Sequence, residues 1–317
     1  MQLLMISPIL MGYYMTKFDI VIIGAGPAGL TAAIYGLREG LSVAIVEESD
    51  IGGKLIIVNA LYNFPSYKEI RGVELAQKLR NQVEELGAVF IAATVNTIVK
   101  SGKGFIVTTN EAILDSGAVI IASGTRDKRL GIPGEEKYIG RGVSFCSLCD
   151  GPLFRGKDVC VIGAGDRAYT EAVFLSSFAK SVYILQRNKP RAEKLNIDKV
   201  QLAKNIHVLN YVEAISIDGD TKVRSIRYKE KNSNSDQVLA VSAVFPLIGN
   251  IPNTEFLDCL PCKSPENYII VDKNMTTEIE GLYACGDVVD KLIRQVATSV
   301  GEGAIAGAMA ARYVKHK

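Results

Sequence analysis

The 317-residue sequence has no tryptophan and only two histidines, and its formal net charge is just +2. A charge this small gives no general attraction to nucleic acid or to an anionic membrane, so neither is an expected partner. Beyond the apolar opening, no segment has the roughly 18 uninterrupted apolar residues of a transmembrane helix. The opening stretch lacks the basic region and small-residue cleavage site of a signal peptide. The sequence therefore predicts a cytoplasmic protein.

Hydrophobic residues make up 48% of the chain, and glycine is abundant at 29 residues. This composition is typical of α/β proteins, and the length suffices for two domains that each bury a core. It argues against disordered and fibrous classes. Six cysteines without a secretory signal argue against a disulfide-built scaffold and favour catalytic, metal-binding or buried thiols.

The first recognisable unit is FDIVIIGAGPAGLTAAIYGLREGLSVAIVEE, which begins at Phe18. A β-branched run, a glycine-rich turn, a helix with small residues and a second apolar strand follow one another, as in a βαβ unit. Gly24, Gly26 and Gly29 have the spacing that a dinucleotide fold uses for a tight turn, for approach to a pyrophosphate and for helix–strand contact. Glu47 ends the second strand, where an acid accepts hydrogen bonds from a ribose 2′-hydroxyl.

A second unit of the same kind is KDVCVIGAGDRAYTEAVFLSSFAKSVYILQRNKPRAEK, in which Gly163, Gly165 and Ala168 occupy the turn. Two such units in one chain predict two dinucleotides. Gln186 stands at the position that Glu47 has in the first unit. The basic residues beside it are Arg187, Lys189 and Arg191. Because an acid favours a free 2′-hydroxyl and basic residues favour a 2′-phosphate, we expect FAD on the first unit and NADPH, rather than NADH, on the second.

The chain after residue 240 contains a strand, an acid-bearing turn and a long helix of small residues, but no nucleotide turn of its own. The economical interpretation is that it returns to complete the first domain. The expected division is an N-terminal extension at 1–16, an FAD-binding domain at 17–125 and 244–317, and an NAD(P)H-binding domain at 126–243. The expected fold class is therefore α/β, with two Rossmann-like dinucleotide-binding domains of which the second is inserted into the first.

The segment SFCSLCDG holds Cys146 and Cys149, with Asp150 directly after them. A zinc site would need two more ligands, for which the scarcity of histidine leaves Cys259 and Cys262. A structural disulfide is a second alternative, although so short a loop gains little chain entropy. Pairs at this spacing are better suited to thiol–disulfide exchange, in which one thiol attacks and its neighbour resolves the mixed disulfide. Redox chemistry is the favoured interpretation, and no metal is expected.

The remaining cysteines receive simpler interpretations. Cys160 lies in the apolar strand VCVIG and Cys285 precedes the glycine of ACGD, so both are expected to be buried packing residues. Cys259 and Cys262 lie in an irregular, proline-containing stretch that is expected to be exposed. For this last pair a structural disulfide, two free thiols and a second redox pair all stay open.

The motifs that run through almost the whole chain are GAGPAGL, GGKL followed by NFP, IASGT, CSLCDGPLF, GAGDRA, IGNIPNT, and ACGDV with RQVATSVGEG. In this order they resemble the low-molecular-weight thioredoxin reductase family. The resemblance implies an FAD-dependent thioredoxin-disulfide reductase that is a homodimer and whose NADPH domain swivels against its FAD domain. It also implies that electrons pass from NADPH through FAD and the Cys146–Cys149 disulfide to thioredoxin or a glutaredoxin-like protein.

The resemblance also assigns roles to residues at matching positions. Cys149 would be the thiol next to the flavin, Cys146 the thiol that attacks the partner protein, and Asp150 the acid that protonates the leaving thiolate. The residues implied in FAD binding are Gly24, Gly26, Gly29, Glu47, Gly53, Asn63, Gly124, Asp287, Arg294 and Gln295. Those implied in NADPH binding are Gly163, Gly165, Ala168, Arg187, Lys189 and Arg191. Arg294 and Gln295 also begin a predicted helix, whose N-terminal dipole favours negative charge on a flavin.

Several positions depart from the family pattern. The stretch QRNKPRA differs from the family's run of a histidine and arginines, which leaves NADH or reduced ferredoxin open as donors. Lys54 and Tyr62 replace a glutamine and a glutamate near the flavin. Arg167 replaces a small hydroxyl residue on the second nucleotide turn, where it could either bind a phosphate or obstruct the cofactor. A flavin redox sensor without turnover is a further alternative.

Overall fold

A computed structural model describes residues 15–58, 61, 63–231, 235–257 and 262–317. The opening segment 1–14, Tyr62 and Cys259 lie outside the described residues, as does the side chain of Cys149. In the described ranges no helix is both long enough and apolar enough to cross a membrane.

The strands of the described ranges are β1 Met15–Ile23, β2 Val43–Glu47, β3 Val89–Ala92, β4 Val95–Ser101, β5 Gly104–Thr109, β6 Ile113–Ile121, β7 Thr125–Asp127, β8 Asp158–Ile162, β9 Ser181–Gln186, β10 Ile206–Asn210, β11 Val212–Gly219, β12 Val223–Glu230, β13 Asp236–Ala240, β14 Ala243–Pro246, β15 Asn250–Pro252 and β16 Leu282–Ala284. The α-helices are α1 Pro27–Arg38, α2 Gly72–Glu85, α3 Ser147–Asp150, α4 Asp166–Ser176, α5 Lys194–Leu202 and α6 Val296–Lys315.

The first sheet has the strand order β3-β2-β1-β6-β5-β4, and β16 also pairs with β6. Its central strand β1 pairs in parallel with both β2 and β6. Ile20, Val21 and Ile22 of β1 are fully buried, because other elements cover both faces of this parallel core. The late strand β16 pairs in parallel with β6. The last part of the chain thus returns to the first sheet.

Helices α1 and α6 pack against each other over the first sheet, in a core cluster that includes Ile20 and Ile22. An added Cβ at Gly303 would lie 2.2 Å from the Ala28 carbonyl oxygen, and one at Gly307 would lie 2.4 Å from the Ala32 carbonyl oxygen. The small residues of α6 therefore allow its backbone to approach that of α1 directly. This close contact fixes the middle of α6 against α1.

The second sheet has the order β10-β9-β8-β14, with all of its pairs parallel. Helix α4 follows β8 and packs on this sheet through Ala168, Ala172 and Leu175. The strands β11, β12 and β13 form a separate antiparallel sheet beside it. Two parallel sheets, each with a glycine turn between its strand and helix, confirm the predicted α/β fold with two Rossmann-like units.

The two units are joined by β7 and β15, a short antiparallel pair that we call the crossover strands. Two predicted boundaries need correction at the residue level. Residues 244–246 belong to β14, which pairs with β8 of the second sheet, so the first unit does not resume at 244. Met15 and Thr16, which the sequence places in the N-terminal extension, already pair with β6. An apolar run shows that a strand forms but not which sheet receives it.

Candidate active site

The first glycine turn lies between β1 and α1. Gly24 has a φ of +104°, and an added Cβ there would lie 2.5 Å from the Ala122 carbonyl oxygen, so the position requires glycine. An added Cβ at Gly29 would lie 2.0 Å from the Gly24 carbonyl oxygen. Gly26 differs from both, because it precedes α1 with a φ of −76° and has no atom within 4 Å of an added Cβ. Its open backbone at the N-terminus of a helix fits a phosphate group.

Glu47 ends β2 beside this turn. Its Oε2 accepts a hydrogen bond of 2.7 Å from the backbone N–H of Ala25, and its Oε1 accepts bonds of 3.1 Å from the N–H and hydroxyl of Ser49. The carboxylate thereby holds the glycine turn in place. An ionised carboxylate offers about four acceptor positions, so Glu47 retains capacity for a ribose hydroxyl.

Two further predicted glycines lie around the same turn. An added Cβ at Gly53 would lie 3.1 Å from the Cα of Gly26, so these two loops are in direct backbone contact. Gly124 follows Ala122 and Ser123, whose backbone atoms approach Gly24. The structure therefore brings together the glycines of three separate motifs.

Asn63 and Gln295 also meet, although 232 residues separate them in sequence. The Asn63 Nδ2 donates a hydrogen bond of 3.0 Å to the Gln295 Oε1. Gln295 precedes the first residue of α6, and its backbone N–H donates to the Thr298 hydroxyl at 3.2 Å. The predicted helix start at Arg294 and Gln295 therefore falls one or two residues early, and Gln295 acts as the cap.

Arg294 has contacts of its own that hold the Asp287 turn. Its Nε and Nη2 donate to the carbonyl oxygens of Asp287 and Val289 at 3.2 and 3.1 Å. Its guanidinium also lies 4.2 Å from the ring centre of Tyr268, which is a cation–π contact. Arg294 thus shapes the loop between β16 and α6.

Glu302 and Lys291, which the sequence interpretation did not include, support the same loop. Glu302 Oε2 accepts a bond of 2.8 Å from the Gly286 N–H, and Lys291 Nζ reaches both Glu302 oxygens at 2.7 and 2.9 Å. The two side chains are only 13% and 16% exposed. The sequence signal for this pair is the single acidic residue of α6, in a helix rich in glycine and alanine.

The second glycine turn repeats the geometry of the first. An added Cβ at Gly163 would lie 2.3 Å from the Leu247 carbonyl oxygen and 2.9 Å from the Cβ of Ala168, so α4 closely approaches the turn. Gly165 precedes α4 with a φ of −96° and has no atom within 4 Å of an added Cβ. This turn therefore also fits a phosphate group.

The end of β9 separates a buried amide from exposed cations. Gln186 is 2% exposed, and its side chain bonds to the Tyr169 hydroxyl at 3.0 Å and to Asn210. The exposed basic residues that follow are Arg187, Lys189 and Arg191. Arg187 lies 3.5 Å from Glu213, and the Arg191 N–H donates to the Ala164 carbonyl at 2.7 Å. The basic loop therefore lies against the second glycine turn.

Cys146 is half-buried and disulfide-bonded. It directly precedes α3, and its carbonyl oxygen accepts the Asp150 N–H at 3.1 Å. Its own N–H donates to the Ser144 hydroxyl at 3.1 Å. Asp150 therefore lies one helical turn beyond Cys146. The pairing with Cys149 stays a prediction, since that side chain is outside the described part.

Cys160, Cys262 and Cys285 are free thiols, and all three are buried. Burial raises the pKa of each of them above the ordinary value. The expected burial of Cys160 and Cys285 is confirmed. The expected exposure is wrong for Cys262, which is 2% exposed and packs in the core cluster of Leu257 and Ile269. Its free state also contradicts a Cys259–Cys262 disulfide.

Two departures from the family pattern, Arg167 and Lys54, lie in one charged network. The Arg167 guanidinium donates to Asp127, to Glu171 and to the Phe145 carbonyl oxygen, so a phosphate would have to displace these acceptors. Lys54 Nζ lies 3.9 Å from the other Asp127 oxygen. Burial lowers the pKa of Lys54, although the charge of Asp127 opposes that shift.

The protein groups around the first turn fit FAD. The open backbone at Gly26 suits a diphosphate, the Glu47 carboxylate suits a ribose, and the joined amides of Asn63 and Gln295 offer both donors and acceptors to a polar ring edge.

Comparison with known proteins agrees with this geometry. The chain matches the pyridine nucleotide-disulphide oxidoreductase family over residues 18–303. It is 38% identical over 301 residues to a thioredoxin reductase of Treponema pallidum, which covers 94% of this chain and 98% of the relative. The crystal structure of Lactococcus lactis thioredoxin reductase in its FR conformation has a TM-score of 0.80 at 36% identity and covers 95% of this chain and all of that one (100%). The chain therefore belongs to the low-molecular-weight thioredoxin reductase family of pyridine nucleotide-disulphide oxidoreductases.

Proposed function

We propose that this chain is an FAD-dependent thioredoxin-disulfide reductase that takes its electrons from NADPH. The observation that carries the proposal is the disulfide at Cys146, in a chain with two open glycine turns at Gly26 and Gly165. The Treponema pallidum and Lactococcus lactis relatives are thioredoxin reductases by name, which supports thioredoxin as the partner. When bound, FAD supplies the two-electron chemistry that links a nicotinamide to a disulfide.

The first unit holds FAD in this proposal. Backbone N–H groups around Gly26 bind the diphosphate, and Glu47 accepts a hydrogen bond from the ribose. Asp287, Asn63 and Gln295 contact the flavin part. The positions of these three residues support this assignment. Asn63 and Gln295 are hydrogen-bonded to each other, and Asp287 lies in the segment between β16 and α6.

The exchange step uses the dithiol form of Cys146 and Cys149. The Cys146 thiolate attacks the disulfide of the partner, so one bond forms between Cys146 Sγ and a partner sulfur while the partner's S–S bond breaks. Cys149 then attacks Cys146, which forms the Cys146–Cys149 disulfide and releases the partner as a dithiol. Asp150, one helical turn beyond Cys146, gives the departing thiolate its proton. Two electrons and two protons thereby move to the partner.

The second unit holds the donor. We assign the 2′-phosphate of NADPH to the exposed side chains of Arg187, Lys189 and Arg191, beside the Gly165 turn. NADH or reduced ferredoxin is a second candidate donor. The observation in favour of ferredoxin is that Gln186 is committed to Tyr169 and Asn210, so the loop lacks the fixed partner that the ribose 2′-hydroxyl of NADH would use.

The test compares thioredoxin reduction by the wild type with that by Cys149→Ser and Cys160→Ala. We expect the first variant to lose thioredoxin reduction while bound FAD is still bleached by NADPH under anaerobic conditions. Cys160→Ala removes a buried thiol outside the exchange chemistry and should retain turnover. Turnover by Cys149→Ser would overturn the exchange scheme, and bleaching by ferredoxin but not by NADPH would overturn the donor.

Four further features complete the proposal: a homodimer, a location in the cytoplasm, a glutaredoxin-like protein as an alternative partner, and a second unit that turns about the crossover strands. Sedimentation equilibrium measures the dimer. Rapid turnover with thioredoxin distinguishes the enzyme from a redox sensor, which would change its thiol state without releasing a reduced partner.

A further inference from the structure

An ion pair on α4 contacts the backbone on both sides of Cys146. Arg167 Nε and Glu171 Oε1 are 2.8 Å apart, four residues along the same helix. Arg167 Nη2 donates a hydrogen bond of 2.6 Å to the Phe145 carbonyl oxygen. Glu171 Oε2 accepts from the Ser147 hydroxyl at 2.7 Å and from the Ser147 N–H at 3.3 Å. The residues before and after Cys146 are therefore held by one pair of side chains.

The same guanidinium also contacts the crossover strands. Arg167 Nη1 donates to Asp127 Oδ1 at 2.9 Å, in β7, and to Asn250 Oδ1 at 3.3 Å, in β15. On the far side of Asp127, Lys54 from the first unit lies 3.9 Å away. A chain of alternating charges thus runs from Lys54 through Asp127 and Arg167 to Glu171.

Arginine is the side chain that this position requires. Its planar fork carries five N–H donors, so it can bond to several acceptors in different directions at once, whereas the single ammonium of lysine cannot. Burial by itself would lower the pKa of Arg167, but the carboxylates of Glu171 and Asp127 outweigh it and raise that pKa. The positive charge is therefore permanent in this setting.

We propose that Arg167 is a positioning residue for the redox-active segment: with Glu171 it fixes the backbone on both sides of Cys146 and ties that segment to the crossover strands. This inference rests on the proposed function, since it assigns a role within thiol–disulfide exchange. It also accounts for an arginine beside the second glycine turn whose guanidinium is already bonded to protein acceptors.

The pair places opposite charges beside Cys146, so removing either charge has a predictable sign. Glu171→Gln removes a negative charge, which stabilises a nearby thiolate and hence the dithiol form. Arg167→Gln removes the positive charge and leaves Glu171 uncompensated, which destabilises the dithiol form. A loss of structure alone would not shift the stability of the dithiol form in opposite directions in the two variants.

The experiment measures the dithiol–disulfide equilibrium of FAD-loaded protein in mixtures of reduced and oxidised dithiothreitol, with thiols trapped by alkylation and counted by mass spectrometry. We expect about a tenfold shift in the equilibrium constant for each single variant, or about 30 mV for a two-electron couple. The midpoint reduction potential of the dithiol–disulfide couple becomes less negative in Glu171→Gln and more negative in Arg167→Gln. The double variant should return close to the wild-type midpoint.

Thioredoxin reduction provides the second readout. We expect Arg167→Lys to keep the wild-type midpoint but to lower the turnover number, because its charge remains and its bonds to Phe145 and Asp127 cannot all be made. Arg224→Gln is the matched control, since Arg224 pairs with Asp220 four residues away on an exposed surface. It should change neither readout.

Midpoint shifts of the same sign in Glu171→Gln and Arg167→Gln, or full turnover in Arg167→Lys, would overturn the positioning role. Should Arg167→Gln fail to retain FAD, the sign of the Glu171→Gln shift and the turnover number of Arg167→Lys still decide the question. If the wild type itself shows no thiols that titrate in the dithiothreitol mixtures, the proposed function fails rather than this inference.

Discussion

Replacing Gly26 and Gly29 by alanine separates ligand binding from folding within one four-residue turn. The structure predicts different outcomes although both changes add a single methyl group. At Gly26 the methyl group meets no atom within 4 Å and the φ of −76° suits alanine. At Gly29 it would lie 2.0 Å from the Gly24 carbonyl oxygen. That distance is more than 1 Å shorter than a normal carbon–oxygen contact, so the backbone must move.

The magnitudes follow from these surroundings. In Gly26→Ala, loss of a good cap costs roughly 0.5–1 kcal/mol, while the stiffer unfolded chain returns about 0.4–1 kcal/mol. The two effects offset each other, so the stability of the FAD-free protein should change by less than about 1 kcal/mol. The methyl group blocks the approach of a diphosphate, and losing one charge-assisted hydrogen bond costs about 1.5–3 kcal/mol. The Kd for FAD should therefore rise roughly 10- to 150-fold.

Gly29→Ala should behave in the opposite way, with an overpacking cost of about 1–3 kcal/mol or more in the FAD-free protein. The assay is urea unfolding of FAD-free protein, followed by FAD titration monitored by quenching of flavin fluorescence. If Gly26→Ala binds FAD as tightly as the wild type, the assignment of the diphosphate to this turn is wrong. If Gly26→Ala unfolds as readily as Gly29→Ala, the reasoning from open space is wrong.

Three further predictions concern other parts of the molecule. Gly165→Ala should weaken NADPH binding at least tenfold without changing FAD content, because that turn has the same open space; calorimetric titration checks both. Gly303→Ala should destabilise the protein by about 1–3 kcal/mol in urea, since its Cβ would lie 2.2 Å from the Ala28 carbonyl oxygen. Burial raises the pKa of Cys160 above its ordinary value of 9.0, so the unfolded chain releases this proton first and stability falls as the pH rises above 9. The loss approaches about 1.4 kcal/mol per pH unit, and Cys160→Ala should show a correspondingly shallower slope in urea unfolding between pH 8 and 10.

The local sequence predicts those parts of the site whose geometry depends only on residues within one short motif. The glycine turns are examples, because the positions at which Gly24 and Gly29 require glycine are determined by the adjacent strand and helix. That Asn63 and Gln295 serve the same cofactor is implied by the family resemblance alone, and their contact with each other is seen only in the structure. No local pattern joins two residues that are 232 positions apart.

The misjudged features depend on distant partners. The exposure expected for Cys262 rests on its irregular, proline-containing stretch, but Cys262 packs in one core cluster with Ile269 and residues from strands of the first sheet. From its place in the turn, Arg167 is expected either to bind a phosphate or to obstruct the cofactor, and both alternatives leave out its bonds to the protein itself. The acceptors that determine its orientation lie 40 residues away at Asp127 and 83 away at Asn250. Only its pairing with Glu171 could have been read from the i, i+4 spacing.

The crossover strands have a consequence for the order in which the molecule is assembled. Asp127 and Asn250 are paired, so the roughly 120 residues between them form one closed loop whose entropic cost exceeds that of a four-residue turn by about 3 kcal/mol. A folded second unit removes that cost by bringing its own two ends together. Strand β16 and helix α6, which follow the second unit in the chain, can then pack onto the first sheet. Folding of the inserted unit should therefore precede completion of the unit that surrounds it, even though the surrounding unit begins first in the chain.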